Sequence, residues 1–87
     1  MRFLIDYVDC KVCAKILNMR CGPSIKCKPI NVLHRGDKVK VDTVDNGWFR
    51  IAYIKWRRNK CWHDVRKLNL YVYGAYLKPD IKIPIFN

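Results

Sequence analysis

Between residues 38 and 56 the chain alternates, turns, and alternates again. Val39, Val41 and Val44 stand among Lys38, Lys40 and Asp42, an apolar–polar pattern that suits a half-buried strand. Asp45-Asn46-Gly47 follows, and Asn-Gly supplies the two residues of positive φ that a tight hairpin turn requires. The next run, WFRIAYIKW (48–56), is aromatic and β-branched and predicts the partner strand. By period two, Phe49, Ile51 and Tyr53 share one face of it, and Trp48, Arg50, Ala52, Ile54 and Trp56 the other. Both faces are largely apolar. Either the strand is covered on both sides, as in a small barrel with extra packing, or Trp48 and Trp56 form an exposed patch.

Upstream, LNMRCGPS (17–24) opens an irregular stretch that bends at Gly22-Pro23, with Leu17 and Met19 inward by period two. Asn18 is expected to hydrogen-bond the turn backbone. Arg20 is expected to stack on an aromatic ring or pair with an acid, a role more architectural than ligand-binding. A long irregular loop reaches Pro29, and Ile30, Val32 and Leu33 make a short strand that closes at His34-Arg35-Gly36-Asp37. Downstream, Leu70–Tyr73 reads as another short strand and Gly74–Leu77 as a turn of 3₁₀ helix. The tail IKIPIF (81–86) alternates, but Pro84 limits it to an edge strand or an extended arm. Several short strands separated by turns predict an all-β fold, a small barrel or sandwich.

At 87 residues the chain is one domain, 1–87, with room for one modest core. No apolar run is long enough for a membrane-spanning helix. MRFLIDYVD has only a three-residue apolar stretch ahead of Asp6, which is no secretory signal, so a cytoplasmic protein is expected. Charge narrows the partners. Lys and Arg number 18 against 7 acids, all of them Asp, for a formal net charge of +11. Such a surface is drawn to nucleic acid, wall polymers, anionic lipid or an acidic protein. Cys10, Cys13, Cys21, Cys27 and Cys61 are an odd set, which fits free thiols in a reducing compartment better than a secreted disulfide scaffold.

Four motifs in order, LNMRCGPS (17–24), INVLHRGDKVKV (30–41), DNGWFRIAY (45–53) and LYVYGAYLK (70–78), give the chain a resemblance to the bacterial-type SH3 (Src homology 3) domain over about residues 12–78. The resemblance implies a small SH3-like barrel of five to six strands. It implies a groove between the long first loop and the 3₁₀ turn, falling here on Trp48, Tyr73 and Tyr76, with Arg20 and Pro23 at its rim. The chain departs from the family in three respects. Residues 55–69 form an extended basic insertion in the hairpin before the last core strand. Leu70 stands where a Gly is usual, and residues 1–11 and the 79–87 arm lie outside the match.

That insertion carries Lys55, Arg57, Arg58, Lys60, Arg66 and Lys67, with Trp56 and Trp62 interleaved and Asp64 the one acid. Cations meet phosphates and indoles stack on unpaired bases, while Arg and Trp equally suit an acidic protein surface. The bland alternative is a long, solvated hairpin tip. Cys10-x-x-Cys13 with Cys61-x-His63 counts as a weak zinc candidate, since the second pair is too closely spaced and strand geometry parts the first. Arg35-Gly36-Asp37 spells an adhesive tripeptide but fits an ordinary turn between strands. Cys61, His63 and Asp64 are neighbours in sequence, which rarely make a catalytic set, and no enzyme is expected. The resemblance implies a non-catalytic binding module without a cofactor. The expected role is an intracellular protein–protein interaction domain engaging an acidic partner, such as a small phage or mobile-element protein acting on a host factor. A nucleic-acid-binding small barrel and a peptidoglycan-binding module are the alternatives.

Overall fold

Among the described residues eight strands form one antiparallel sheet: β1 (Arg2–Val12), β2 (Ile16–Arg20), β3 (Pro29–His34), β4 (Lys38–Asp45), β5 (Trp48–Lys55), β6 (His63–Asp64), β7 (Leu70–Tyr73) and β8 (Leu77–Pro79). The structure is a computed structural model and describes residues 2–79, so most of the predicted 79–87 arm, including IKIPIF, lies outside it. Along the sheet the order is β3-β2-β7-β5-β4-β1-β8, with the two-residue β6 paired to β5. Among the described residues the helical elements are two 3₁₀ turns, Arg66–Leu68 and Gly74–Tyr76.

The all-β expectation holds, but five to six strands is too few. The segment before residue 12, outside the family match, is the longest strand of the sheet. It pairs with β4 along most of its length and with β8 at its end. Its outer half alternates in the way the pairing requires: Cys10 and Val12 are buried, and Lys11 is exposed.

The hairpin at Asn46-Gly47 forms as its sequence predicts, with φ of 51° and 87° at the two turn residues. The faces of β5 do not follow simple alternation. Lys40 opposes Tyr53, yet Val41 opposes Ile51, so Ala52 is an extra residue in β5. A bulge of this kind bends its strand and shifts the phase of the side chains after it. Ile51 therefore faces the core before the bulge and Ile54 after it, and Phe49 and Trp56 pack against the same cluster from the two ends. This resolves the puzzle of a strand apolar on both sides. In β4 the third inward position belongs to Thr43, 1% exposed, rather than to Val44.

One cluster makes up the core: Cys10, Val12, Leu17, Met19, Leu33, Val39, Val41, Ile51, Ile54, Leu70, Val72 and Leu77. Seven strands of a single sheet supply these side chains. The sheet must therefore bend around its own inner face, because a flat sheet cannot cover itself. Leu17 and Met19 point inward as expected, and Leu70 is buried as well.

Candidate functional site

Three local devices bring the predicted groove residues together. The β4–β5 turn delivers Trp48, whose partner across the sheet is Tyr73 of β7. Gly74 then donates its N–H to the Gly47 carbonyl at 2.9 Å, tying the 3₁₀ turn, and with it Tyr76, to the hairpin tip. Position 74 admits no side chain, because a Cβ there would lie 2.5 Å from Phe49 Cε1. On the opposite side, Arg20 Nη1 donates to the Cys27 carbonyl at 3.0 Å, and Ser24 Oγ accepts from the Lys26 N–H at 3.1 Å, shaping the loop that carries Pro23. Arg20 thus takes the architectural role, bonded to backbone rather than to a ring or an acid. The turn's side-chain hydrogen bonds come from Arg20 and Ser24, not from Asn18, which sits exposed on β2.

Between these walls lies an open groove of about 770 Å³. All five predicted residues, Trp48, Tyr73, Tyr76, Arg20 and Pro23, line it. The three rings form a chain of edge contacts, with centroids 5.4 Å apart from Trp48 to Tyr73 and 5.9 Å from Tyr73 to Tyr76. Such pairs hold ring geometry beyond what area burial alone would do. Ile16 and Ile25 complete the apolar lining and are well exposed, and Asn18, Ser24 and Asn46 supply polar groups. Among the described residues no carboxylate lines the groove. Sequence reasoning missed Ile16 and Ile25. Ile16 is the outward partner of inward Leu17, and an apolar residue at an outward position was the available signal.

The insertion returns along β5, where His63 and Asp64 pair with Ile54 and Tyr53, and most of its residues are exposed. Trp62 is half-buried beneath two ammonium groups, with Lys40 Nζ 4.5 Å and Lys55 Nζ 5.6 Å from the ring centroid. Trp56 is half-buried against the core and also lines a small open pocket with Arg57 and Arg58. Arg66 is likewise committed within the chain. Its Nε and Nη2 reach Asp64 Oδ1 and Oδ2 at 3.0 and 2.7 Å, and its guanidinium lies 5.3 Å over the Tyr53 ring. Arg57, Arg58, Lys60 and Lys67 are exposed.

The Arg66 side chain, followed by the Arg66 backbone N–H, holds the Asp64 carboxyl well below the usual carboxylate range, at about 2. The folded value lies below the unfolded one, near 3.9, so the ion pair stabilises fully above that ordinary value. Its contribution is lost as pH falls through about 2. Carbon-detected NMR of the folded protein should show the Asp64 carboxyl titrating near that pH. The Arg66→Gln variant should move the midpoint up towards the ordinary Asp value. An Asp64 midpoint already near 4 in the wild type would mean the pair does not form in solution.

The zinc candidates do not meet. Cys10 is a core residue of β1 and Cys13 lies beyond that strand's end, while Cys61 and His63 belong to the insertion. Among the described residues no three His, Cys, Asp or Glu side chains gather as a metal would need. His63 Nε2 meets Asn59 Nδ2 at 3.1 Å, and Asp64 is turned to Arg66. In the Arg35-Gly36-Asp37 turn the carboxylate is 2% exposed. Oδ2 accepts from the His34 N–H at 2.8 Å and Oδ1 from the Arg57 N–H at 2.9 Å, which removes it from any adhesive role.

No protein-family profile, curated protein or solved structure matches this chain. Among the described residues no helix is long and apolar enough to cross a membrane.

Proposed function

We propose that this chain is a non-catalytic binding module of SH3-like barrel architecture whose groove seats a segment of a partner protein. The observation that carries this reading is the convergence of Trp48, Tyr73 and Tyr76 on one open groove rimmed by Arg20 and Pro23. Rings held edge to edge present a large, rigid apolar surface at little entropic cost, which is what protein-binding hot spots use. A bent sheet with a bulge in β5, the long loop after β2 and the 3₁₀ turn between β7 and β8 support the SH3-like architecture. The carboxylate-free lining, on a chain of net charge +11, favours a partner segment bearing acidic groups beside its apolar anchors.

The test is selection from a displayed random-peptide library, followed by affinity measurement on variants. Trp48→Ala or Tyr76→Ala should weaken the selected peptide by about 2 kcal/mol, roughly thirtyfold, while the fold is retained. Peptides that bind both folded variants as tightly as the wild type would remove the groove from the proposal. Retention on purified cell walls, lost in the same variants, would assign the groove to wall polymer instead.

A further inference from the structure

A second, smaller pocket of about 230 Å³ is lined by His34, Asp37, Trp56, Arg57 and Arg58. Among the described residues it shares none with the groove. Two turns build it. The first runs from His34 to Asp37, and the second closes after β5 with the Asn59 N–H on the Trp56 carbonyl at 2.9 Å. Asp37 joins them, since Oδ2 accepts from the His34 N–H and Oδ1 from the Arg57 N–H. The Arg57 stem runs alongside Gly36, where a Cβ would stand 3.9 Å from Arg57 Cβ and Cδ. Backbone bonds, more than the reach of long side chains, set the shape of this pocket.

Its walls differ in chemistry. Trp56 is half-buried against the core, which holds its ring in place. Arg57 and Arg58 are exposed beside it. A guanidinium is planar and meets a phosphate through two parallel hydrogen bonds. Asp37 closes the inner side and is buried. Its charge is met by two N–H donors, and each oxygen keeps a further lone pair. Sites that enclose a whole drug-sized molecule run to about 300–1,000 Å³, so this pocket holds one planar ring and leaves its charged group at the guanidinium groups.

We infer that this pocket binds a mononucleotide, with the base on the Trp56 ring and the phosphate on Arg57 and Arg58. Bases stack on aromatic faces, and Arg takes the phosphate. The carboxylate of Asp37 offers an acceptor to a base N–H, a donor that the ring of a phosphorylated tyrosine lacks. The site shares no residue with the groove, so it stands whether or not the groove seats a protein segment.

The experiment is an NMR titration of the nitrogen-labelled full chain with GMP at low salt, following the indole N–H signals. GMP is the probe because guanine carries adjacent N–H donors. The Trp56 signal should move while those of Trp48 and Trp62 stay in place. Arg57→Gln/Arg58→Gln should weaken binding at least about tenfold, since it removes the charged hydrogen bonds to phosphate. Should that variant fail to fold, Arg58→Gln alters one exposed position and should weaken binding at least about threefold. A Trp56 signal that does not move at millimolar GMP overturns the inference, as does unchanged binding in the folded variants. Inorganic phosphate bound as tightly as GMP overturns it in favour of a plain anion cleft. Phosphotyrosine bound more tightly than GMP overturns it in favour of a phosphorylated protein.

Discussion

Replacing Asp37 with Ala is expected to lower the unfolding free energy by about 3 kcal/mol, read as a shift of the urea midpoint at constant slope. The carboxylate is buried, and its two oxygens satisfy the backbone N–H groups of His34 and Arg57. Removing it orphans two donors at once, and each unsatisfied buried donor costs about 1–3 kcal/mol. The loss reaches beyond the turn. Around it the Gly36 N–H donates to the Val12 carbonyl and the Val12 N–H to the Asp37 carbonyl, so the β3–β4 turn is sewn to the end of β1. Asp37→Asn should recover little, because one of its terminal atoms is an NH₂ that meets an N–H. A variant within 1 kcal/mol of wild type would show that water reaches these donors.

Arg50→Met is expected to cost about 2–3 kcal/mol and to loosen the insertion while leaving the hairpin in place. Arg50 and Asp42 form an ion pair in which each side chain is only 17% exposed. Arg50 Nη2 also donates to the Arg66 carbonyl, and the Thr43 hydroxyl donates to Asp42 at 3.0 Å. Methionine keeps much of the apolar stem but strands the Asp42 carboxylate and frees the 3₁₀ turn at Arg66–Leu68. Hydrogen exchange should rise first at residues 63–69. The double variant Arg50→Met/Asp42→Leu should regain part of the loss, since removing both partners of a shielded pair is less damaging than removing one. Equal exchange in wild type and Arg50→Met would show that the β5–β6 pairing, the Val65 N–H bond to the Ala52 carbonyl and Trp62 hold the insertion without Arg50.

The groove was legible through the resemblance to bacterial-type SH3 domains, which implies its five residues; local chemistry by itself gives the turns that carry them. Asn46-Gly47 dictates a hairpin, the hairpin dictates where Trp48 emerges, and Gly74 starts the turn that presents Tyr76. The inner face of β5 was not legible. A single extra residue, Ala52, reverses inside and outside for everything after it, and nothing in Ile51-Ala52-Tyr53-Ile54 marks the bulge. For the same reason the side of the strand that Trp56 joins was hidden: it is half-buried against the core yet lines an open pocket with Arg57 and Arg58. The cross-strand alignment of four lysines was hidden for a different cause. Lys11, Lys38, Lys55 and Lys78 are far apart in the chain, and only the registers between four strands align them.

The place of β1 in the sheet also sets an order in time. This strand is synthesised early, yet one of its neighbours is β4 and the other is β8, some 65 residues later. The β4–β5 hairpin can close locally within microseconds. The outer edge of β1, by contrast, stays open until the chain has been made as far as Pro79. During that interval a nascent edge is a template for the wrong partner. Lys11 stands on that edge and Lys38 beside it, where charge discourages a second chain from adding on. A ribosome-bound chain stopped before residue 77 should therefore show a protected hairpin, an unprotected β1 edge, and little aggregation until Lys11 is made neutral.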